Sequence, residues 1–387
     1  PDKRMYAYFT GFGGASNSPF LSIIDLDTQQ KVLNLALDGP NSYVDMDAGV
    51  GDPAFEAMQA MQYSYSLAWS PDGQKLAFLA AIDGDSSDIY IYDHESQSVS
   101  RLTDEASNAT SLHWSPDGRF LQYVTINSFG TGAGFSMDAV WVYDFQKDQA
   151  QLVENSSNSG ETFITWQDNT SFLMNSWDAM CEDFNLRMIN AETLNQDVLF
   201  DGCFSGVAYD PEDEFGMISI TDFNEENCPC GEAQESGIMI FGNSIESYGN
   251  RHLLKFQKII AYNLEFIPNG KLFVVYGDEG LQNIFYNQQM EFDIDTKLRG
   301  LKPLPSPDES YWVWASYYSG KTGLWITGED KTPIKLSDSF SGDPIWRDDS
   351  RRLYYFEGKD LMYADATNFK PQTLVKLADV KIEGIIK

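Results

Sequence analysis

The chain has 387 residues, 42% hydrophobic and 14% aromatic, enough apolar material for a large core. Its 58 acidic side chains outnumber 26 basic ones, giving a formal charge of −32. That balance excludes nucleic acid, whose affinity comes from Lys and Arg neutralising phosphates, and disfavours anionic membrane surfaces.

No run approaches the roughly 18 apolar residues of a spanning helix, and neither a signal peptide nor a low-complexity linker is visible. Residues 1–387 therefore read as one domain, opening on Pro1 rather than Met, so any targeting segment is expected upstream. In chain order, period-two alternation predicts strands over 4–10, 20–25 and 31–36. Residues 40–60 form the longest stretch without strand patterning. Within it, Asp52 and Pro53 read as the N-cap and first position of a short helix, with Phe55, Met58 and Met61 along one side as a cover for the sheets.

A repeat then sets in. Leu67-Ala-Trp-Ser-Pro-Asp-Gly-Gln-Lys-Leu-Ala-Phe and Leu112-His-Trp-Ser-Pro-Asp-Gly-Arg-Phe-Leu-Gln-Tyr place Trp69 and Trp114 45 residues apart. Degenerate copies begin at Trp166, Tyr209, Phe266, Pro305 and Trp346, with spacings of 52, 43, 57, 39 and 41. The repeat turns thus fall near 69–73, 114–118, 166–170, 209–213, 266–270, 305–309 and 346–350. This is the period of a four-stranded propeller blade. Pro presets φ and Gly accepts φ > 0, so Pro-Asp-Gly reverses the chain tightly. The aromatic before the turn ends one strand and is expected to pack between neighbouring blades. A second signature closes most copies: an alternating strand, a turn with Asp and Ser or Thr, and another strand, as in Ile89-Tyr-Ile-Tyr-Asp and Val140-Trp-Val-Tyr-Asp.

With its Trp-Ser-Pro-Asp-Gly turn and Ile-Tyr-x-x-Asp hairpin, the chain resembles the TolB-like family of WD40-like β-propellers over essentially its whole length. The likeness is strong in the copies near residues 62 and 108 and weak in those near 203, 259 and 300. It implies an all-β single propeller of four-stranded antiparallel blades. Such repeats occur in TolB, in peptidase propellers, in some polysaccharide lyases and in surface proteins, so they specify fold far better than function. Eight strand sets give eight blades, or seven if one weak copy is illusory. Residues 380–387 read as a lone strand that completes the N-terminal blade and removes the exposed sheet edges.

The long insertions at 10–19, 40–60, 125–137, 175–185 and 221–237 are expected on one face, where a binding site would sit. Cys181, Cys203, Cys228 and Cys230 fall on that face and read as two disulfides of an oxidising compartment, with free thiols or zinc as the rival readings. Asp83, Asp85 and Asp88 resemble a calcium loop without the closing Glu, and the same residues are also ordinary turn formers. No other cofactor is suggested. The catalytic scan finds no Gly-x-Ser-x-Gly elbow, and His94 in the last hairpin turn of its blade, His113 in the first strand of the next and His252 near the last strand of another do not converge. The resulting expectation is a non-catalytic, extracytoplasmic (periplasmic, secreted or cell-surface) scaffold binding a protein or glycan through its loop-rich face. The alternatives are a propeller-type lyase or hydrolase with an unidentified acidic site, and a structural subunit of an envelope assembly.

Overall fold

The computed structural model describes residues 5–10, 19–28, 30–38, 56–57, 60–61, 66–84, 86–128, 135–155, 159–178, 185–201, 301–316, 322–328, 332–339, 341–358 and 360–376. Between 204 and 295 it describes the course of the strands. Among these residues, eight antiparallel sheets follow one another along the chain. The first has three strands, Met5–Thr10, Phe20–Asp25 and Gln30–Ala36. Each of the other seven has four, over residues 67–101, 108–155, 159–201, 204–254, 261–295, 301–337 and 341–376. Every strand pairs with its neighbour in sequence, so each sheet is a meander whose strands are lettered in chain order, a to d in the four-stranded sheets and b to d in the three-stranded first sheet. This is the all-β propeller architecture that the repeat period predicts. The sheets fall into two compact units, one built on Lys3–Asp201 and one on Gly202–Lys381, with four sheets in each. The predicted closing strand, 380–387, lies outside the described residues.

Burial explains the strand patterns. In the second sheet, strand b (Lys75–Ala80) is buried from Leu76 to Ala80 on both of its faces, and strand c (Asp88–Asp93) from Asp88 to Tyr92. Strand d (Ser98–Arg101) alternates exposed and half-buried, as a strand does when one face meets solvent. Glu56, Ala57, Ala60 and Met61 are helical, and Ala57 and Met61 join the core cluster of the first three sheets. The covering role predicted for this helix therefore holds for Met61; Asp52, Pro53, Phe55 and Met58 lie outside the described residues.

The turn from a to b explains the motif chemically. Gly73 and Gly118 take φ of 70° and 72°, and their N–H groups donate to the carbonyls of Ser70 and Ser115 at 2.8 and 2.9 Å. Ser115 Oγ donates to Asp117 Oδ1 at 2.7 Å and accepts the Phe120 N–H at 2.9 Å. Ser70 and Ser306 repeat the arrangement with Asp72 and Asp308. The Ser70 hydroxyl, with the Gln74 N–H behind it, holds the Asp72 carboxyl below the ordinary range. In the c–d turns, Asp25, Asp93 and Asn190 accept backbone N–H groups two or three residues ahead.

The tryptophan of the motif ties one sheet to the next. Trp114 Nε1–H donates to the Ala68 carbonyl at 2.9 Å, Trp166 to His113 at 3.3 Å and Trp346 to Leu304 at 3.4 Å. In each case the donor ends one a strand and the acceptor lies in the a strand of the preceding sheet. Trp114 is buried and stacks on Phe145 with centroids 4.9 Å apart.

Replacing Trp114 separates the two contributions. Trp114→Phe keeps a ring and removes the bond to Ala68, for an expected loss of about 1–2 kcal/mol. Trp114→Ala removes the ring as well, for about 3–5 kcal/mol. Urea unfolding of both variants measures the difference, and an unchanged stability in Trp114→Phe would show that the indole N–H contributes nothing.

Candidate active site in the third sheet

The site begins with a bulge. Thr110 pairs with Val124 and His113 with Gln122, so strand a (Asn108–Trp114) holds one residue more than strand b across the same interval. Similar shifts recur between strands a and b of the fourth to eighth sheets, which makes the bulge part of the scaffold. Its content here is particular. Seven described non-glycine residues have left-handed φ; six lie in turns, and Ser111, at 60°, is the one inside a strand. A bulge re-aims side chains, and a strained residue within a strand persists only where its surroundings hold it.

The re-aimed side chain meets a histidine. Ser111 Oγ lies 3.0 Å from His113 Nε2 and the two share a hydrogen bond. In the tautomer with its proton on Nδ1, His113 accepts and Ser111 donates, the geometry of an activated hydroxyl. The imidazole stacks on Phe163 of the fourth sheet, centroids 3.9 Å apart and planes 14° apart. Burial pushes its pKa down to about 3, so the ring is neutral throughout the physiological range. Gln122, directly opposite in register, is fully buried, and neither its Oε1 nor its Nε2 has a hydrogen-bond partner. At the other end, Thr110 Oγ1 donates to the Ala60 carbonyl at 3.4 Å, tying the covering helix beside Ser111. A neutral imidazole, a hydroxyl bonded to it and an unsatisfied amide are the kinds of group that move or hold a proton.

In the acidic loop, two of the three aspartates lie among the described residues. Asp88 is buried, and Arg101 Nη2 donates to its Oδ2 at 2.7 Å. Ser86 Oγ, Thr103 Oγ1 and the Glu105 N–H donate to the same carboxylate at 3.2, 3.1 and 3.2 Å. Burial raises the Asp88 carboxyl above its usual range, while Arg101, Glu105 and Thr103 pull it back. Asp83 is exposed, and Asp85 lies outside the described residues. Among the described residues, no group of three His, Cys, Asp or Glu is placed to hold a metal ion. Cys181, Cys203, Cys228 and Cys230 lie outside the described residues, as do most of the long insertions. His94 sits in a c–d turn and His252 opens a d strand, as predicted; neither joins His113 in sequence order or sheet.

No protein-family model matches the chain, and no curated protein matches it. Solved structures do. An oligogalacturonate lyase in complex with manganese is 15% identical, with 95% of this chain and 96% of that chain covered and a TM-score of 0.51. Dipeptidyl peptidase 4 of Porphyromonas gingivalis is 11% identical over 98% of this chain, with a TM-score of 0.60; this chain covers 59% of its length. The dihydro-heme d1 dehydrogenase NirN in complex with DHE is 13% identical over 97% of this chain and 74% of that chain, with a TM-score of 0.61. At these identities the likeness establishes the β-propeller fold.

The comparisons correct the expectation of a non-catalytic scaffold: the structures that share this fold are mostly enzymes, among them a lyase, peptidases and a dehydrogenase. The physical reason for the miss is that a propeller assembles its sites from residues brought together by bulges and neighbouring sheets, which a search for contiguous motifs does not see. Ser111 and His113 were within reach of the sequence, two positions apart on a predicted strand and immediately before the motif Trp114. What alternation could not supply was the bulge that brings the hydroxyl onto the ring. As for location, no described helix is long and apolar enough to cross a membrane.

Two measurements follow from this geometry. Asp88→Asn leaves Arg101 without its main partner and is expected to lower stability by about 1–3 kcal/mol. Asp83→Asn, on an exposed position, is expected to stay within about 0.5 kcal/mol of the parent in the same denaturant titration. For His113, the folded pKa lies below the unfolded value of about 6.5, so the unfolded chain binds the proton first. Its contribution is therefore complete above about pH 6.5 and is lost as pH falls toward 3, by roughly 2–4 kcal/mol. His113→Gln should flatten the difference curve over that window; parallel pH profiles for parent and variant would contradict the burial of a neutral imidazole.

Proposed function

We propose that the chain is a propeller-type enzyme, first of all a lyase acting on an acidic glycan, with His113 as the base and Ser111 as its hydrogen-bonded partner. The observation that carries this reading is the 3.0 Å contact between Ser111 Oγ and His113 Nε2 at a strained bulge. The likeness to an oligogalacturonate lyase supports it, because the alignment runs nearly end to end on both chains.

The chemistry is proton abstraction from the carbon next to a uronate carboxylate. His113 takes the proton, the C–H bonding pair forms the new double bond, and the glycosidic oxygen leaves with the C–O bonding pair and takes a proton from solvent. A base with a depressed pKa suits this when the substrate is anionic. Burial alone lowers the imidazole, and a carboxylate brought within about 4–6 Å favours the protonated ring and raises it again. Substrate thus supplies the charge that makes the base effective.

Ser111's backbone strain favours a second reading, a hydrolase in which Ser111 Oγ attacks an ester carbonyl, and His113 takes its proton and passes it to the alcohol that leaves as the ester C–O bond breaks. Water, losing a proton to His113, then displaces Ser111 from the acyl group and releases the acid. Membership of the TolB-like propellers, supported by the two near-identical Trp-Ser-Pro-Asp-Gly copies, belongs to the proposal. So does an extracytoplasmic location with paired cysteines, supported by their even number.

The test is one panel with two readouts. Polygalacturonate, alginate and heparin are followed by the ultraviolet absorbance of the unsaturated product, and chromogenic acyl esters by release of the phenol. Activity on a polyuronate that falls at least about a hundredfold in His113→Ala, with less loss in Ser111→Ala, is the expected result. Ester cleavage abolished by either substitution would select the hydrolase instead. Turnover in neither series, or turnover unchanged in both variants, would dismiss the site.

A further inference from the structure

One register position of the repeat carries a carboxamide in a single sheet. The strand a residue just before the motif aromatic or proline faces Ala77 in the second sheet and Leu173, Met217, Val274, Val313 and Tyr354 in the fourth to eighth. In the third sheet His113 faces Gln122. Val142, the strand c partner of Gln122, and Phe120 and Val124 on its own strand belong to the apolar cluster that includes Trp166, Phe172 and Met174 of the fourth sheet. Gln122 shares their face of the strand. It is fully buried there, and neither Oε1 nor Nε2 has a hydrogen-bond partner. A buried amide without partners destabilises a fold, and the aliphatic side chains at most of the equivalent positions avoid that cost. Residues that break a local rule in this way belong to functional sites more often than to architecture.

Register decides what the amide can serve. Opposed residues of an antiparallel pair hold their Cβ atoms roughly 4.5–5.5 Å apart, a gap that the long glutamine side chain spans. Across that gap stands the His113 imidazole. Ser111 Oγ holds its Nε2 at 3.0 Å, and Phe163 stacks on its plane. These contacts orient the ring without assigning its proton, because a hydroxyl serves equally as donor and acceptor. The hydrogen bond made by the other nitrogen sets where the proton sits. A carboxamide can meet that nitrogen with its oxygen or with its NH2 group. Only the oxygen leaves Nε2 with the lone pair that the base requires, so the inference rests on the proposed function of His113.

We propose that Gln122 is a positioning residue for His113: its Oε1 accepts Nδ1–H and keeps the Nε2 lone pair directed at Ser111. A turn of the carboxamide about its own torsions makes this bond and satisfies an acceptor that is otherwise buried unpaired. A neutral amide does so without placing a charge beside the ring, as Asp or Glu would, and the imidazole stays neutral until an anionic substrate arrives.

Nitrogen NMR of the full chain, labelled at its three histidines, tests this at neutral pH without any substrate. His113→Gln identifies the His113 signals. The expected result is the Nδ1–H form of His113 in the parent and a shift toward the Nε2–H form in Gln122→Leu. That substitution installs the residue of the fourth sheet, so the melting temperature should be unchanged or raised, and a merely structural glutamine would leave the ring signals alone. Gln122→Glu keeps an acceptor oxygen and should keep the Nδ1–H form. On whichever substrate is turned over, Gln122→Leu should lower kcat at least about tenfold with little change in KM. An Nε2–H ring in the parent, or identical ring signals in the parent and Gln122→Leu, would overturn the proposal. A Gln122-dependent Nδ1–H ring in a chain that turns over no substrate would uphold it and dismiss the reaction. His113-dependent turnover with ring signals unaltered in Gln122→Leu would do the reverse.

Discussion

The bond from a tryptophan indole to a carbonyl of the preceding sheet is the constraint on which the rest of this structure depends. A four-stranded meander with strands as apolar as Lys75–Ala80 cannot stand alone, because both faces of strand b must be covered. The neighbouring sheet supplies the cover. Burying an aromatic there brings its N–H into an apolar layer, where it must find an acceptor. Trp114, Trp166 and Trp346 find one at the same place in the repeat, the a strand one sheet back. A hydrophobic requirement and a hydrogen-bond requirement are thus met by one residue, and the spacing between sheets follows.

The same bond prepares the candidate active site. Trp166 takes its carbonyl from His113, so the backbone of His113 is fixed by the scaffold while its ring remains available to Ser111 and Phe163. The bulge recurs from sheet to sheet, and in the third it carries a serine that reaches the imidazole. Across the same strand pair, likewise, the register recurs but carries Gln122. In both places a backbone geometry shared within the repeat is kept while one or two side chains change, which is how a rigid scaffold acquires chemistry without loss of fold.

The acidic composition has a structural share. Asp72, Asp117 and Asp308 close a–b turns, Asp25 and Asp93 close c–d turns, and Asp144 accepts from both Arg119 and the Gln146 N–H. Arg119 also reaches Glu192 of the following sheet, and Arg187 pairs with Glu154 of the preceding one. These residues are acidic because an ionised carboxylate is a strong acceptor for turn N–H groups and for guanidinium. A uniformly solvated acidic surface accounts for only part of the charge.

What the sequence determined by itself is the architecture, and the reason is local. A turn such as Ser115-Pro-Asp-Gly118 is specified by its own dihedral preferences and hydrogen bonds, and strands such as Asp88–Asp93 by alternation. Repetition at blade period then leaves few topologies. Position within the blade was also legible, so His94, His113 and His252 fell where expected. The tertiary structure alone decided what the side chains meet. Alternation offered no sign that Ser111 would adopt φ of 60° and turn onto His113, that Phe163 from the next sheet would stack on that ring, or that Asp88 would be claimed by Arg101. Nor did it show that Gln122 would be buried without a partner opposite that ring. Such contacts depend on a one-residue bulge and on the packing of separate strands, neither of which a run of consecutive residues encodes.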